Sequence, residues 1–175
     1  IYGGNLGKPQ GIDFLLKVIE ANEENKNSYI IVVGSGTEYE RMKCWFDKVN
    51  PHNAKLIAAL PKTEYDNLIR ACHIGLIFLD SRFTIPNYPS RLLSYLENRM
   101  PVLLATDENT DMGRIAEQEG FGLWCKSGNL SKFMANMARL SMDNSSVIKM
   151  GKTGEKYLLK HYTVDSIADI ILNEK

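Results

Sequence analysis

The sequence predicts a doubly wound α/β fold: a mostly parallel sheet covered by helices on both faces, in three α/β/α layers. Two observations predict it. Short apolar runs of strand length alternate along the chain with amphipathic stretches of helical spacing. The strand runs are apolar throughout rather than alternating with polar residues, which marks strands buried on both faces. Strands separated by helices require crossover connections, and in a parallel sheet these are right-handed.

Each element follows from its own residues. Ile1-Tyr2-Gly3-Gly4 reads as the end of a strand. Tyr29-Ile30-Ile31-Val32-Val33 is a β-branched run closed by Gly34-Ser35-Gly36. Lys55 to Ala58, Ile74 to Leu79, Val102 to Ala105 and Gly122 to Cys125 are shorter runs of the same kind. Between them lie four apolar stripes at helical spacing. The first is Phe14, Leu15, Val18 and Ile19; the second Tyr39, Met42, Trp45, Phe46 and Val49. The third is Tyr65, Leu68, Ile69 and Cys72; the fourth Leu130, Phe133, Met134 and Met137. All four read as core-facing surfaces. From about Ser145 the chain turns helical, through Tyr157-Leu158-Leu159 and Ile167 to Leu172, and these helices are expected to pack against something beyond this chain.

Length and composition bound the function. The chain has 175 residues, enough for one domain with a full core, and no internal linker or repeat divides it. Lys plus Arg number 21 and Asp plus Glu number 21, so there is no basic excess for a non-specific nucleic-acid binder. The longest apolar run, Ile74 to Leu79, is too short to span a bilayer, and no segment has the make-up of a signal peptide. The opening at Ile1, inside a strand, carries the expectation that the natural protein continues upstream. Cys44, Cys72 and Cys125 are odd in number and form no Cys-x-x-Cys pair, so they are expected to be reduced, buried cysteines of a cytoplasmic protein.

Ligands of an open parallel sheet bind at the carboxyl ends of its strands, so the loops there carry the chemistry. They are Gly4 to Gly11, Gly34 to Thr37, Leu60 to Thr63, Asp80 to Ser90 and Thr106 to Gly113. Gly34-Ser35-Gly36-Thr37 either lets backbone approach a ligand at a helix N-terminus or uses its glycines only for a tight strand-to-helix turn, and both readings stay open. It is neither a dinucleotide fingerprint, since Tyr39 stands where the third glycine belongs, nor a Walker loop. Phe83 to Leu93 is a long loop that enters a helix through Pro89-Ser90 and puts Arg91 in its first turn. A cation there opposes the helix dipole. Either an anion binds beside Arg91, or Arg91 pairs with Asp80 or is solvated.

Other chemistries find no support. His52, His73 and His161 lack metal-ligand spacing, and His73 reads as structural. No Gly-x-Ser-x-Gly elbow is present. Asp107, Glu108 and Asp111 read as solvated residues of a turn.

Taken in order, these segments resemble the C-terminal domain of retaining glycosyltransferases with two facing Rossmann-like domains, the GT-B architecture of family 4 type. Tyr2 to Leu6 and Gly11-Ile12-Asp13 resemble the opening strand, glycine loop and helix of that family. Val33 to Gly36 resembles its Gly-x-Gly turn, and Leu60-Pro61, with Tyr65 and Leu68 to Ile77, its base-binding loop, helix and next strand. Pro89-Ser90-Arg91-Leu92-Leu93-Ser94-Tyr95-Leu96, with Pro101-Val102-Leu103, resembles its phosphate-binding helix and following strand. Many members carry two glutamates eight positions apart; Pro86 and Ser94 stand there in this sequence. Many also carry an Arg and a Lys in the first loop, where this chain has Asn5 and Gln10.

The resemblance implies a domain that binds the nucleoside diphosphate of a sugar donor, UDP- or GDP-linked, with no cofactor and no metal. The implied donor-binding residues are Gly4, Asn5, Lys8, Gly34, Ser35, Gly36, Leu60, Pro61, Arg82, Tyr88, Pro89, Ser90, Arg91 and Ser94. Lys8, Arg82 and Arg91 are the candidates to replace the charge missing at Asn5 and Gln10. No catalytic side chain is assigned. An N-terminal domain outside residues 1–175 would hold an acceptor glycan or lipid-linked sugar, so this chain alone is expected to be inactive. The variants of the motifs look most like those of bacterial surface-polysaccharide assembly, a cytoplasmic activity at the inner membrane face. The alternatives are an enzyme like the nucleotide-sugar 2-epimerases, whose carboxylates and histidines find no place here, and a degenerate domain kept for protein association.

Overall fold

The computed structural model describes residues 1–82 and 88–163. Among these described residues six strands alternate with seven α-helices. The strands are β1 (Tyr2–Asn5), β2 (Ile30–Ser35), β3 (Ala54–Ala58), β4 (Gly75–Phe78), β5 (Val102–Thr106) and β6 (Gly122–Lys126). The helices are α1 (Ile12–Ala21), α2 (Tyr39–Val49), α3 (Lys62–Arg70), α4 (Arg91–Glu97), α5 (Met112–Gln118), α6 (Leu130–Met142) and α7 (Asn144–His161). A 3-10 turn over Lys8–Gln10 precedes α1.

All pairings are parallel. One sheet runs β1-β2-β3 and the other β4-β5-β6. The amide of Leu76 donates to the carbonyl of Ile1 at 2.7 Å, which sets β4 beside β1. The strands therefore lie in the order 3-2-1-4-5-6, the doubly wound arrangement whose order reverses between β1 and β4. Ligands of such sheets bind at that reversal, outside the carboxyl ends of the strands.

The pleat sends successive side chains to opposite faces, and the core divides accordingly. Val32, Leu76, Phe78, Leu103 and Ala105 face α1, α2 and α6, where Phe14, Phe78 and Phe133 pack with ring centroids 5.1–5.9 Å apart. Val33, Ile77, Val102 and Leu104 face α3, α4, α5 and α7. Three layers result, as the apolar strand runs predict.

Three expectations change. The turn-rich segment Thr106 to Gly113 is partly helical: Met112 opens α5 and buries against the sheet, while Asp111 takes its N-cap position. Asp107 is not solvated but 4% exposed. Its carboxylate accepts from the amides of Asn109 and Thr110 and from the Thr110 hydroxyl, and this is how a buried charge is satisfied. Of the cysteines only Cys125 is buried; Cys72 is half-buried and Cys44 exposed, because Cys44 lies on the outer side of α2.

Two smaller differences follow the same logic. Val49 at the end of α2 and His73 ahead of β4 are exposed. α7 packs within the domain on α4, Tyr157 and Leu158 covering the second core. Gly151 permits that approach, since a Cβ there would stand 1.8 Å from the carbonyl oxygen of Arg99. Ile167 to Leu172 lie outside the described residues.

Candidate functional site

Where β1 and β4 part, the start of α4 folds over the carboxyl end of β1. Two tyrosines build the floor. Tyr95 of α4 is fully buried; its hydroxyl accepts from the Gly3 amide at 3.1 Å and donates to the Ile1 carbonyl at 3.2 Å, tying helix to strand. Burial pushes its phenol far up, so it stays protonated. Tyr2, also buried, donates to the Asn5 carbonyl at 2.8 Å and shapes the strand's end.

Arg91 precedes Tyr95 by four residues and so lies on the same side of α4. It is 8% exposed. Its guanidinium carbon stands 4.3 Å over the centroid of the Tyr2 ring. Its Nη2 donates to Oε1 of Gln10 at 2.7 Å. Its Nη1 is buried and has no hydrogen-bond partner among the described residues. Among the described residues no carboxylate pairs with it. Asp80 is taken by Arg82, whose Nη2 lies 2.6 Å from Oδ2; the hydrogen bond from Arg82 holds the Asp80 carboxyl below its ordinary range. Both alternatives for Arg91, an Asp80 pair and a solvated side chain, are thereby excluded.

A cleft of about 530 Å³ opens over this guanidinium. That lies within the roughly 300–1,000 Å³ of small-ligand sites. Gly3, Gly4, Asn5 and Gln10 line one side, and Tyr88, Pro89, Ser90, Arg91 and Ser94 the other, with Tyr65 of α3 between them. Burial raises the phenols of Tyr65 and Tyr88, so both are neutral hydroxyls near pH 7. Arg91 is the single ionised side chain among the described lining residues, and none of them is a carboxylate. The site is built to meet an anion with one cation and several neutral donors.

The expected donor residues divide. Gly4, Asn5, Tyr88, Pro89, Ser90, Arg91 and Ser94 come together here. Lys8 is exposed on the 3-10 turn, outside the lining. Arg82 borders a separate depression with Asp13, Lys17 and Asp80. Leu60 and Pro61 lie between β3 and α3, Pro61 at the helix's N-cap position, outside the lining of the cleft. Gly34 and Gly36 serve the neighbouring strand: a Cβ on them would stand 1.8 Å from the Gly4 carbonyl oxygen and 2.5 Å from that of Leu6. Ser35, between them, is exposed and pairs with Asn5 in the β1–β2 register. Ser90 takes the N-cap position of α4 without a capping bond from its side chain. Pro86 lies outside the described residues.

Gly3, Gln10 and Tyr65 are lining residues beyond those expected. Tyr65 read as core because it shares the apolar stripe of α3, yet its ring packs on Gly3 and borders the cleft. A larger cavity, about 620 Å³, lies at the amino ends of the strands around Ile30, Ile74, Cys72 and Met137. Among the described residues its lining holds no Lys, Arg, Asp or Glu side chain and no unpartnered buried side-chain group. The smaller cleft at the carboxyl ends holds the buried guanidinium.

The sequence profile of the glycosyl transferases group 1 family matches residues 1–171. The chain belongs to this family. Over 122 residues, 70% of this chain and 30% of the relative, it is 23% identical to a probable glycosyltransferase, WbjE, of Pseudomonas aeruginosa. The fold is shared with TarM of S. aureus, solved as a mutant in complex with fondaparinux, alpha-GlcNAc-glycerol and UDP. That likeness has a TM-score of 0.79 at 14% identity and covers 98% of this chain and 34% of TarM. It is also shared with the C-terminal domain of the group 1 family protein LpcC of Francisella tularensis. Here the TM-score is 0.71 at 12% identity, over 93% of this chain and 86% of that one. The chain thus spans about a third of the length of WbjE and TarM and most of the isolated LpcC domain. Its sheet is the Rossmann-like core of a group 1 domain. No helix among the described residues is long and apolar enough to cross a membrane.

Proposed function

We propose that this group 1 domain binds the nucleoside diphosphate of a sugar donor in the Arg91 cleft. The observation that carries the reading is the buried guanidinium of Arg91, which lacks both a carboxylate partner and a partner for Nη1 among the described residues. Burying a charge without its counter-ion is costly. A diphosphate oxygen at Nη1 supplies the missing acceptor and the missing charge together. Gly3, Gly4 and Ser90 border the same space and bring backbone close to the phosphates.

In transfer, negative charge grows on the departing nucleoside diphosphate as the sugar–phosphate bond breaks. A fixed cation and neutral donors in a desolvated cleft stabilise that charge. Among the described lining residues there is no carboxylate or histidine to act as a general base: the hydroxyls are those of Ser90, Ser94 and two phenols held protonated, and the one ionised group is an arginine. The domain's share of the chemistry is binding and charge stabilisation. The acceptor, a glycan or lipid-linked sugar, is held by a second domain outside residues 1–175, with the sugar passing across the cleft between the two. UDP in the TarM complex makes a uridine nucleotide the first donor to test, with GDP the next. Bacterial polysaccharide assembly in the cytoplasm is the setting that fits this reading, with no cofactor besides the donor.

A thermal-shift screen of UDP, GDP, ADP, CDP and dTDP tests it. A ligand at one hundred times its Kd adds about 2.7 kcal/mol. For a domain of this size that raises Tm by about 5–10 °C. No shift with any of the five at millimolar concentration overturns the donor-site reading.

A further inference from the structure

We propose that Gln10 is a positioning residue that fixes the Arg91 guanidinium while leaving its charge unneutralised, so that the first loop sets anion affinity through a neutral amide. This rests on reading the Arg91 cleft as a diphosphate site.

Gln10 is 5% exposed, and its Oε1 accepts from Arg91 Nη2 at 2.7 Å. The amide's orientation is fixed by chemistry: a guanidinium only donates, so the amide oxygen must face it. The backbone beneath is held on both sides. The Gln10 amide donates to the Gly7 carbonyl at 2.9 Å, and the Asp80 amide donates to the Pro9 carbonyl at 2.9 Å, pinning the turn to the end of β4. Tyr2 supports the guanidinium from below, and its hydroxyl stands 3.5 Å from the same Oε1. Arg91 is thus gripped by a ring face and an amide oxygen, neither of which carries charge, and Nη1 has no partner among the described residues.

The neutral acceptor matters because a carboxylate in the same place has nearly the same shape and opposite consequences. Glutamate at position 10 would make a buried ion pair with Arg91. The unliganded domain would gain the counter-ion it lacks, and an incoming phosphate would meet a neutralised guanidinium beside a new negative charge. Stability and affinity would move in opposite directions. Alanine removes the acceptor without adding charge, so both fall together.

Calorimetric titration of inorganic pyrophosphate and of UDP into wild type, Gln10→Glu and Gln10→Ala, with melting curves of the unliganded proteins, tests the assignment. Gln10→Glu is expected to melt above wild type and to bind both ligands at least about tenfold more weakly. Gln10→Ala is expected to melt below wild type and to bind a few-fold more weakly. A merely structural Gln10 makes affinity follow stability. Gln10→Glu binding as tightly as wild type, or melting below it, therefore overturns the proposal. Failure of wild type to bind pyrophosphate or any nucleoside diphosphate overturns the donor-site reading itself, and this inference with it.

Discussion

Replacing Arg91 separates a ligand-binding arginine from a structural one. The substitution of choice is Arg91→Met, which keeps an unbranched apolar stem against Tyr2 and removes only the head group. In the unliganded domain two favourable contacts disappear. One is the charged hydrogen bond to Gln10 at 2.7 Å, worth about 1.5–3 kcal/mol. The other is the stacking of the guanidinium on Tyr2 at 4.3 Å, worth about 0.5–2 kcal/mol. One liability disappears with them: a desolvated cation with an unpartnered Nη1, whose unmet bond alone costs about 1–3 kcal/mol. These terms have similar size and opposite sign, so unliganded stability should change by no more than about 1–2 kcal/mol, or some 2–8 °C in Tm. In the complex nothing offsets the loss. The charge-assisted contact to phosphate, about 1.5–3 kcal/mol, vanishes, and Kd should rise about tenfold to a hundredfold. Calorimetric titration with the best nucleotide, alongside scanning calorimetry of both apo proteins, reads both quantities. Unchanged affinity combined with a large loss of apo stability would refute the reasoning and make Arg91 a structural residue.

Three further outcomes follow from the same geometry. Gly34→Ala places a methyl 1.8 Å from the Gly4 carbonyl oxygen and should destabilise the domain by about 3 kcal/mol or more, measured by urea denaturation; a loss under about 1 kcal/mol would contradict the packing of β2 on the first loop. Asp107→Ala should cost about 1–3 kcal/mol at pH 7, because the Asn109 and Thr110 amides lose their acceptor. Burial alone would raise the Asp107 pKa, but the hydrogen bonds from Thr110 and Asn109 outweigh it and the net direction is down. A lowered folded pKa gives stability present above the unfolded value near 4 and lost as pH falls through the folded one. The variant should therefore lose less stability on acidification below about pH 4 than wild type does; parallel acid limbs in the two proteins would count against that account. On the proposed reading, in which a second domain holds the acceptor, residues 1–175 alone should transfer no sugar; clear transfer from a UDP-sugar to any glycan acceptor would contradict the division of labour.

Much of the fold is legible in the chain because the responsible signals are local. β2 declares itself through Tyr29 to Val33 and the glycines that follow, and α1 through Phe14, Leu15, Val18 and Ile19. α5 escapes because it has seven residues, an interior glycine at 113 and polar Arg114, Glu117 and Gln118, too little for a helical period to emerge. The site is legible where it borrows from such punctuation, as Pro89-Ser90-Arg91 does. It is hidden where a polar residue is buried by distant partners. Nothing near Gln10 in sequence announces Arg91, 81 residues away. Asp107 looks like any turn aspartate until its carboxylate is seen capping two amides. Gly34 and Gly36 suit a ligand loop and a tight strand-to-helix turn equally well, and their close approach to Gly4 and Leu6 shows only in the folded chain.

The central claim is that the Arg91 cleft, and not the larger cavity at the opposite ends of the strands, takes the diphosphate. Amide and arginine side-chain NMR of isotope-labelled residues 1–175, titrated with UDP, tests it directly. The account predicts that the Arg91 side-chain resonance and the amides of Gly3, Gly4, Ser90 and Ser94 shift together with one saturable Kd. Shifts confined to Ile30, Cys72, His73 and Ile74 around the other cavity, with the Arg91 resonance unmoved at saturation, would contradict it.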